Sequence, residues 1–326
     1  MKQTWQTLLQ TGFSHVADLL AYLELTAADL PGDARAEQAF AFKVPRPFAA
    51  RMVKGDPRDP LLRQVLPVTG ELHSVSGFSQ DPLGEQTANV MPGLLHKYTS
   101  RVLLILTGNC AINCRYCFRR TFDYAHNRIS RAEWEAAFAY IASDTSIEEV
   151  ILSGGDPLLV SDAHLAFVLQ ALEAIPHVVR VRIHSRIPIV LPQRLTSDLL
   201  NLLGNTRFSV TLVVHANHAQ ELDDSVAQAL DACRQMGLML LNQSVLLAGV
   251  NDSVSSLAAL SRRLWSFGVH PYYLHLLDPV TGTAHFQVKQ DTAVDLLQAL
   301  RAEISGYLIP RLCYEQAGAS AKIILF

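Results

Sequence analysis

The chain has 326 residues, of which 27 are lysine or arginine and 30 are aspartate or glutamate, so its formal net charge is −3. This balance gives no support to nucleic-acid binding, which depends on a basic surface. Hydrophobic residues make up 49% of the chain and require a large core, yet no apolar run approaches the roughly 18 residues of a membrane span. The first residues, MKQTWQTLLQ, lack the apolar region of a signal peptide, so we predict a cytoplasmic protein with no membrane or nucleic-acid partner.

The first part of the chain, residues 1–95, differs in pattern from the rest. It begins with apolar residues at helical spacing, such as Trp5, Leu8 and Leu9, and continues into a stretch with seven prolines between residues 45 and 92. We expect a helical and loop-rich N-terminal extension that wraps a larger body formed by residues 96–326.

From about residue 100, short β-branched apolar runs alternate with longer segments of helical spacing. The runs lie at residues 101–108, 148–155, 178–185, 207–214, 238–247 and 271–277. Two of the helical segments open with Ser130 and Ser161, which are typical N-cap residues. The alternation predicts six parallel strands joined by crossover helices. Six strands are too few for a closed eight-stranded barrel, and periodicity leaves both an open doubly wound sheet and a partial barrel as α/β alternatives.

Polar residues follow or end each predicted strand. In both architectures ligands bind at the carboxyl ends of the strands, so these residues are candidates for one shared site. They are the cysteine cluster after the first strand, Ser153, Gly154, Gly155 and Asp156 after the second, His184, Ser185 and Arg186, then His215, Gln243 and Asp278.

Three of the five cysteines, Cys110, Cys114 and Cys117, have the spacing C-x3-C-x2-C. We expect the short loop to bring their sulfurs to one point. Zinc sites usually have four ligands, whereas three cysteines suit a [4Fe–4S] cluster with one iron open to a substrate or cofactor. Three inert cysteines and a three-cysteine zinc site are the alternatives. We interpret Cys233 and Cys313 as core residues, because their surroundings are apolar.

The chain contains only six lysines, and one of them, Lys322, follows a loop of small residues. A lysine in a segment such as Ala317–Ala321 has room for a bulky cofactor that its amine could attack. The residues alone favour the alternative, a solvated lysine near the end of the sequence.

The cysteine motif, with an aromatic residue before its last cysteine, and the Ser153–Asp156 turn together resemble the radical S-adenosylmethionine superfamily. The resemblance implies a partial (β/α)6 barrel of the TIM type. It also implies that the open iron binds S-adenosylmethionine, which is cleaved to a 5′-deoxyadenosyl radical. In the superfamily the glycine-rich turn contacts the methionyl amino group of this cofactor.

Longer segments, among them KYTSRVLLILTGNCAINCRYCFRR, PYYLHLLDPVTGTAHF and SGYLIPRL, resemble the lysine 2,3-aminomutase family. That family also uses pyridoxal phosphate, and the resemblance implies a Schiff base on Lys322. The other implied roles are cofactor phosphate for Tyr98 and Arg101, the S-adenosylmethionine pocket for His215 and Gln243, the substrate α-carboxylate for Arg119, and the far ammonium of lysine for Asp278 and Glu315. Clostridial-type enzymes have aspartate in the position of Glu315, so the charge is kept on a longer arm.

The sequence ends four residues after Lys322, whereas clostridial-type enzymes continue. In this it resembles a shorter bacterial branch, in which a ligase attaches (R)-β-lysine to elongation factor P. Segments FKVPRPFAARMVKGDPRDPLLRQVLP and GFSQDPLGEQ also resemble that branch. We therefore expect an isomerase that makes (R)-β-lysine from L-lysine, with a flavodoxin or ferredoxin type of reductant, a functional link to the ligase and a possible homo-oligomeric state.

Two alternative functions remain open at this point. One is an aminomutase of the same family that acts on another amino acid, such as arginine or glutamate, although the carboxylates Asp278 and Glu315 argue against glutamate. The other is a non-catalytic iron–sulfur redox protein.

Overall fold

The computed structural model describes residues 4–30, 34–127 and 129–326. Within these ranges one sheet of ten strands forms the centre of the fold, and the strands follow one another across the sheet in chain order. They are β1 (Asn89–Met91), β2 (Leu94–Tyr98), β3 (Arg101–Thr107), β4 (Glu149–Gly154), β5 (Arg180–Ser185), β6 (Ser209–Val214), β7 (Met239–Val245), β8 (His270–His275), β9 (Arg311–Tyr314) and β10 (Ile323–Ile324).

The α-helices of the described ranges fall into two groups. Those of the N-terminal extension are short: α1 (Trp5–Gln10), α2 (Val16–Tyr22), α3 (Ala34–Ala39), α4 (Arg46–Ala49), α5 (Pro60–Arg63) and α6 (Glu85–Ala88). Those that follow are α7 (Arg131–Ser143), α8 (Asp162–Glu173), α9 (Ile187–Val190), α10 (Ser197–Gly204), α11 (Asp224–Gln235), α12 (Val254–Ser266) and α13 (Gln290–Glu303). None of these helices is long and apolar enough to cross a lipid bilayer.

Strands β3 to β9 are all parallel, and helices α7, α8, α10, α11, α12 and α13 connect each strand to the next. The six predicted strands are β3 to β8, and each lies within its predicted range except at the first residue of β8, so the partial TIM-type barrel is confirmed. The sheet also contains a seventh parallel strand, β9. Sequence reasoning missed β9 because its four residues, RLCY, are too few to show a period.

Two serines begin barrel helices as expected. The hydroxyl of Ser130 accepts a hydrogen bond from the backbone of Glu133, whose carboxylate accepts one from the Ser130 backbone in return. The hydroxyl of Ser161 accepts from the backbone of His164 at 3.2 Å. Both N-cap predictions are confirmed.

The N-terminal extension shares the core of the barrel. Phe13, Leu23 and Phe48 belong to one contiguous apolar cluster with the strand residues Val150 and Leu152, and all five side chains are buried. The division expected at residue 95 falls inside β2 and stays a prediction. Because the two parts bury their apolar surface against each other, the extension contributes to the stability of the whole fold.

The loop between β3 and α7, which contains the three clustered cysteines, is fastened to the extension by a buried ion pair. Arg115 has a fully buried side chain and donates to both carboxylate oxygens of Glu71, at 2.8 and 2.5 Å. It also donates to the carbonyl oxygens of Phe40 and Ala36. Arg120 adds a second cation, 2.7 Å from Glu71. A charge pair this deeply buried stabilises the fold only if its partners stay complete.

We expect the Arg115→Met variant to lose about 3–5 kcal/mol of unfolding free energy, because Glu71 and two carbonyl groups would lose a buried donor. Urea denaturation measures this loss as a lower midpoint, provided that the slope of unfolding free energy against urea concentration is unchanged. Arg131→Met is the control, since the Arg131–Glu135 pair is exposed and its loss should cost about 0.5 kcal/mol or less. Equal urea midpoints for Arg115→Met and Arg131→Met would contradict the conclusion that the Arg115–Glu71 pair holds the cysteine loop against the extension.

Candidate active site

The glycine-rich turn after β4 lies directly against the start of the cysteine loop. The backbone N–H of Gly155 donates to the Thr107 carbonyl at 2.7 Å, and that of Asp156 donates to the Asn109 carbonyl at 2.8 Å. A Cβ atom on Gly154 would lie 2.5 Å from the Thr107 carbonyl oxygen, and one on Gly155 would lie 2.4 Å from that of Asn109. Only glycine permits this approach, and Gly154 also has a φ of +120°.

The three clustered cysteines are free thiols on this loop. Burial raises the pKa of Cys110 well above its ordinary value, with further contributions from Cys117, Asp156 and Cys114. Burial and the nearby Cys114 likewise raise the pKa of Cys117 to about 12. Cys110 and Cys117, with their raised pKa values, need a strongly positive partner to become thiolates, and iron supplies that charge.

The convergence of the three cysteine sulfurs on a shared centre stays a prediction. Among the described residues, no group of three or more histidine, cysteine, aspartate or glutamate side chains surrounds a position for a single metal ion. A [4Fe–4S] cluster does not need a site for a single ion, because each cysteine binds a different iron.

The carboxylate of Asp156 braces the end of β5. One oxygen accepts from the Ser185 hydroxyl at 2.7 Å, and the other accepts from the backbone N–H groups of Arg186 and Ile187. Burial raises the pKa of Asp156 to about 6, although these hydrogen bonds oppose the shift. Asp156 therefore has a structural function here, and a contact with S-adenosylmethionine stays a prediction for the whole Ser153–Asp156 turn.

Arg119 lies buried beside this turn and is already engaged. Its Nε and Nη2 donate to the two carboxylate oxygens of Glu85, at 2.8 and 2.6 Å. Its Nη1 donates to the Ser153 hydroxyl at 3.1 Å and to the Gly154 carbonyl at 3.3 Å. Glu85 belongs to the N-terminal extension, so the extension positions the arginine that we expect to face the substrate.

A second group of charges surrounds Lys322, in the loop between β9 and β10. Lys322 Nζ donates to Glu315 Oε1, and Lys97 Nζ donates to Glu315 Oε2 at 2.9 Å. The Tyr98 hydroxyl lies 3.5 Å from the same oxygen. Burial alone would raise the pKa of Glu315, but Lys322 and Lys97 outweigh it and lower the pKa to about 2.

Asp278, after β8, has the opposite environment. Burial raises its pKa to about 7, and repulsion from Glu315 and Glu85 adds to the shift, while Lys322 and Lys97 oppose it. No side chain within the described ranges forms an ion pair or hydrogen bond with its carboxylate. A bound cation would therefore stabilise the ionised form of the Asp278 carboxyl group.

Arg101 lies close to the charged residues around Lys322. Its guanidinium stacks 4.3 Å from the centre of the Tyr98 ring, and no carboxylate in the described part of the chain pairs with it. An arginine without an anionic partner, next to a lysine that could hold pyridoxal phosphate, has the chemistry for a phosphate contact.

Two half-buried histidines, each with a buried Nε2, lie at the ends of neighbouring strands. The rings of His184 and His215 are 5.9 Å apart, and neither Nε2 has a hydrogen-bond partner among the described residues. Burial lowers the pKa of His215 to about 3, with a further contribution from Arg186, so the ring is neutral. Gln243 is half-buried in β7. These unpartnered groups are available to a ligand, and the expected contact of His215 and Gln243 with S-adenosylmethionine stays a prediction.

Sequence reasoning did not identify Glu85 or Lys97 as site residues. Glu85 stands in a loop-rich segment with no periodic pattern, and its pairing with Arg119 depends on the path of the extension. Lys97 lies one residue before Tyr98, which was predicted to contact the cofactor phosphate. This proximity in sequence was the signal that could have identified Lys97. Cys233 is buried in α11 and Cys313 in β9, as expected for core residues.

The chain is similar to the radical SAM superfamily over residues 104–258. It is 47% identical to an L-lysine 2,3-aminomutase of Escherichia coli (strain K12), over 98% of this chain and 94% of that protein. It is 44% identical to that of Haemophilus influenzae (99% and 96%) and 35% identical to that of Clostridium subterminale (98% and 76%). With such identity over nearly the full length, on a barrel whose clustered cysteines suit an iron–sulfur centre, the chain belongs to the L-lysine 2,3-aminomutase family, a group of isomerases within the radical SAM superfamily.

Proposed function

We propose that this lysine aminomutase converts L-α-lysine to (R)-β-lysine and that it holds pyridoxal phosphate on Lys322. One observation carries the proposal: Lys322 and Glu315 form an ion pair near Asp278, whose carboxyl group has no cationic partner among the described residues. The loops that contain these residues and the cysteine loop all follow carboxyl ends of parallel strands, so they share one end of the barrel.

As a radical SAM isomerase, the enzyme uses a [4Fe–4S] cluster and S-adenosylmethionine. When bound, these groups supply a hydrogen-abstracting radical, and pyridoxal phosphate supplies the carbonyl group that carries the migrating nitrogen. We assign Cys110, Cys114 and Cys117 as the cluster ligands.

Lys322 has surroundings that suit attachment of a cofactor. The loop before it, Ala317–Ala321, consists of small residues and is largely exposed, which leaves space beside the amine. Glu315 Oε1 accepts a hydrogen bond from Lys322 and so holds the amine in place. We assign Tyr98 and Arg101 to the cofactor phosphate, because the Arg101 guanidinium pairs with no carboxylate in the part of the chain that the structure describes.

The carboxylates at this end suit the side-chain ammonium of lysine. Cofactor attachment would remove the ammonium that now faces Glu315 Oε1, and that oxygen could then accept a hydrogen bond from the substrate. Asp278 offers a second carboxylate, and a bound cation would lower its pKa and stabilise its ionised form. An acidic substrate would instead meet repulsion from both groups.

Arg119 is the proposed partner of the substrate α-carboxylate. Glu85 holds its guanidinium in one orientation, and Nη2 keeps one N–H that no described group accepts. The position is therefore preorganised, so little entropy is lost when the substrate carboxylate binds. Because Glu85 balances the arginine charge, selectivity depends mainly on the opposite end of the substrate.

We also propose that the product serves a ligase that modifies elongation factor P, and that a flavodoxin or ferredoxin type of protein donates the electron. Support for the ligase comes from the resemblance of the N-terminal segments to the short bacterial branch.

Anaerobic turnover of labelled L-lysine tests the function directly. With all three cofactors and dithionite, we expect labelled (R)-β-lysine, and labelled arginine or glutamate should give no β-amino acid. The ligase should then attach the labelled product to elongation factor P. Release of deoxyadenosine without any β-lysine would refute the proposed substrate.

Borohydride reduction tests the assignment of Lys322. Protein loaded with pyridoxal phosphate should retain the cofactor covalently on Lys322, as located by peptide mass spectrometry. Lys97 is the matched control, since it contacts the same carboxylate through Oε2. A label on Lys97 or on Lys289 would show that the attachment site is assigned to the wrong residue.

The ionisation of Asp278 predicts how lysine affinity depends on pH. The lysine side chain stays cationic below about pH 10, whereas Asp278, with a pKa of about 7, gains a proton as the pH falls through 7. The KM for lysine should therefore rise by up to about tenfold per pH unit below 7 and level off above it.

The Asp278→Asn variant removes this ionisation and leaves the substrate cation with one carboxylate fewer. Its KM should be about 100-fold higher than that of the parent and should not change between pH 6 and 8. Glu315→Asp keeps the charge and is the milder control. A parental pH profile in Asp278→Asn would show that another group titrates.

A further inference from the structure

Arg186, at the end of β5, forms a contact that the proposed reaction does not yet use. Its Nη1 donates to the sulfur of Cys114 at 2.6 Å. Its Nη2 donates to Gln64 Oε1 at 2.6 Å and to Glu221 Oε2 at 3.1 Å. The side chain is 6% exposed, so solvent and salt screen this charge only weakly.

The surrounding residues keep this guanidinium in place. It lies over the ring of Phe48, at 5.3 Å, and over that of Tyr116, at 5.6 Å. The Arg186 backbone is held by Asp156, as described above. Contacts therefore hold the Arg186 backbone, the faces of its guanidinium and the Nη2 group. They keep Nη1 directed at the sulfur of Cys114.

The carboxylate partner is fixed as well. Glu221 is fully buried, and its Oε1 accepts from the backbone of Asn217 at 2.9 Å and of His218 at 3.1 Å. Gln64 Nε2 donates to the same oxygen at 3.0 Å. Glu221 contacts the guanidinium through Nη2, whereas the sulfur contacts Nη1. The positive charge therefore lies between the carboxylate and the cluster ligand.

We propose that Arg186 is a positioning residue that raises the reduction potential of the iron–sulfur cluster through its hydrogen bond to Cys114. The inference rests on the assignment of Cys114 as a cluster ligand. Reduction takes one electron from an external donor and moves the cluster from the 2+ to the 1+ state, which adds negative charge to irons and sulfurs. A charged N–H donor to a ligand sulfur stabilises the state with more negative charge, and burial strengthens the effect.

The test is the midpoint potential of the reconstituted cluster, measured without S-adenosylmethionine. Dithionite supplies the electron, and the electron paramagnetic resonance signal of the reduced cluster is followed against potential. In Arg186→Gln the equilibrium constant for reduction should fall at least tenfold, a negative shift of about 59 mV or more for one electron. Arg186→Lys keeps the charge and should show a smaller negative shift.

Two further variants separate electrostatics from structural damage. Arg194→Gln removes another fully buried arginine that has a carboxylate partner, Asp162, and no cysteine contact, so it should leave the potential unchanged. Glu221→Gln removes the opposing negative charge and should move the potential in the positive direction. Loss of packing alone does not produce shifts of opposite sign.

Iron content distinguishes the failure of this inference from the failure of the ligand assignment. Cys114→Ala should abolish the cluster, as should Cys110→Ala and Cys117→Ala, whereas Cys233→Ala should not. If Cys114→Ala retains a full cluster, the assignment is wrong. If Arg186→Gln carries a full cluster at the parental potential, the inference is overturned although the assignment holds. If neither Arg186 variant binds iron, the sign of the potential shift in Glu221→Gln tests the inference. A positive shift supports it, and any other result overturns it.

Discussion

The buried ion pair between Glu71 and Arg115 is the constraint on which the site depends. Arg115 stands between two of the clustered cysteines, and its guanidinium is enclosed by carbonyl groups of the extension. Two charges without water require complete partners, so the loop cannot shift without a large loss of free energy. The backbone adds to this, since Asn113 N–H donates to the Lys43 carbonyl at 3.0 Å. The positions of the three sulfurs therefore follow from residues outside the barrel.

The N-terminal extension contacts the candidate site and also belongs to the core. Besides Glu71, it contributes Glu85 to Arg119, and the backbone of Ser79 pairs with Val280 shortly after Asp278. Close packing continues at Gly84, where a Cβ atom would lie 3.3 Å from Ala317 in the lysine loop. One segment thus contacts all three loops that carry the proposed chemistry, which couples their positions.

Charge balance explains why the site suits a substrate with a cation at its far end. Glu85 neutralises Arg119, and two lysines neutralise Glu315, whereas Asp278 has no ion-pair partner within the described ranges. In an interior of low dielectric an unpaired carboxyl group takes up a proton or attracts a cation. The raised pKa of Asp278 and its proposed affinity for the substrate ammonium thus have the same physical origin.

Sequence periodicity predicted the parallel strands β3 to β8. The expectation that ligands bind at the carboxyl ends of these strands, together with the cysteine spacing, located most candidate residues. Both signals are local in the sequence. They did not reveal β9, which is too short to show a period, or the pairing of Arg119 with Glu85. Contacts between segments far apart in the chain, such as Arg186 with Cys114 or Arg115 with Glu71, were decided only by tertiary structure, since no local pattern encodes which buried charges become neighbours.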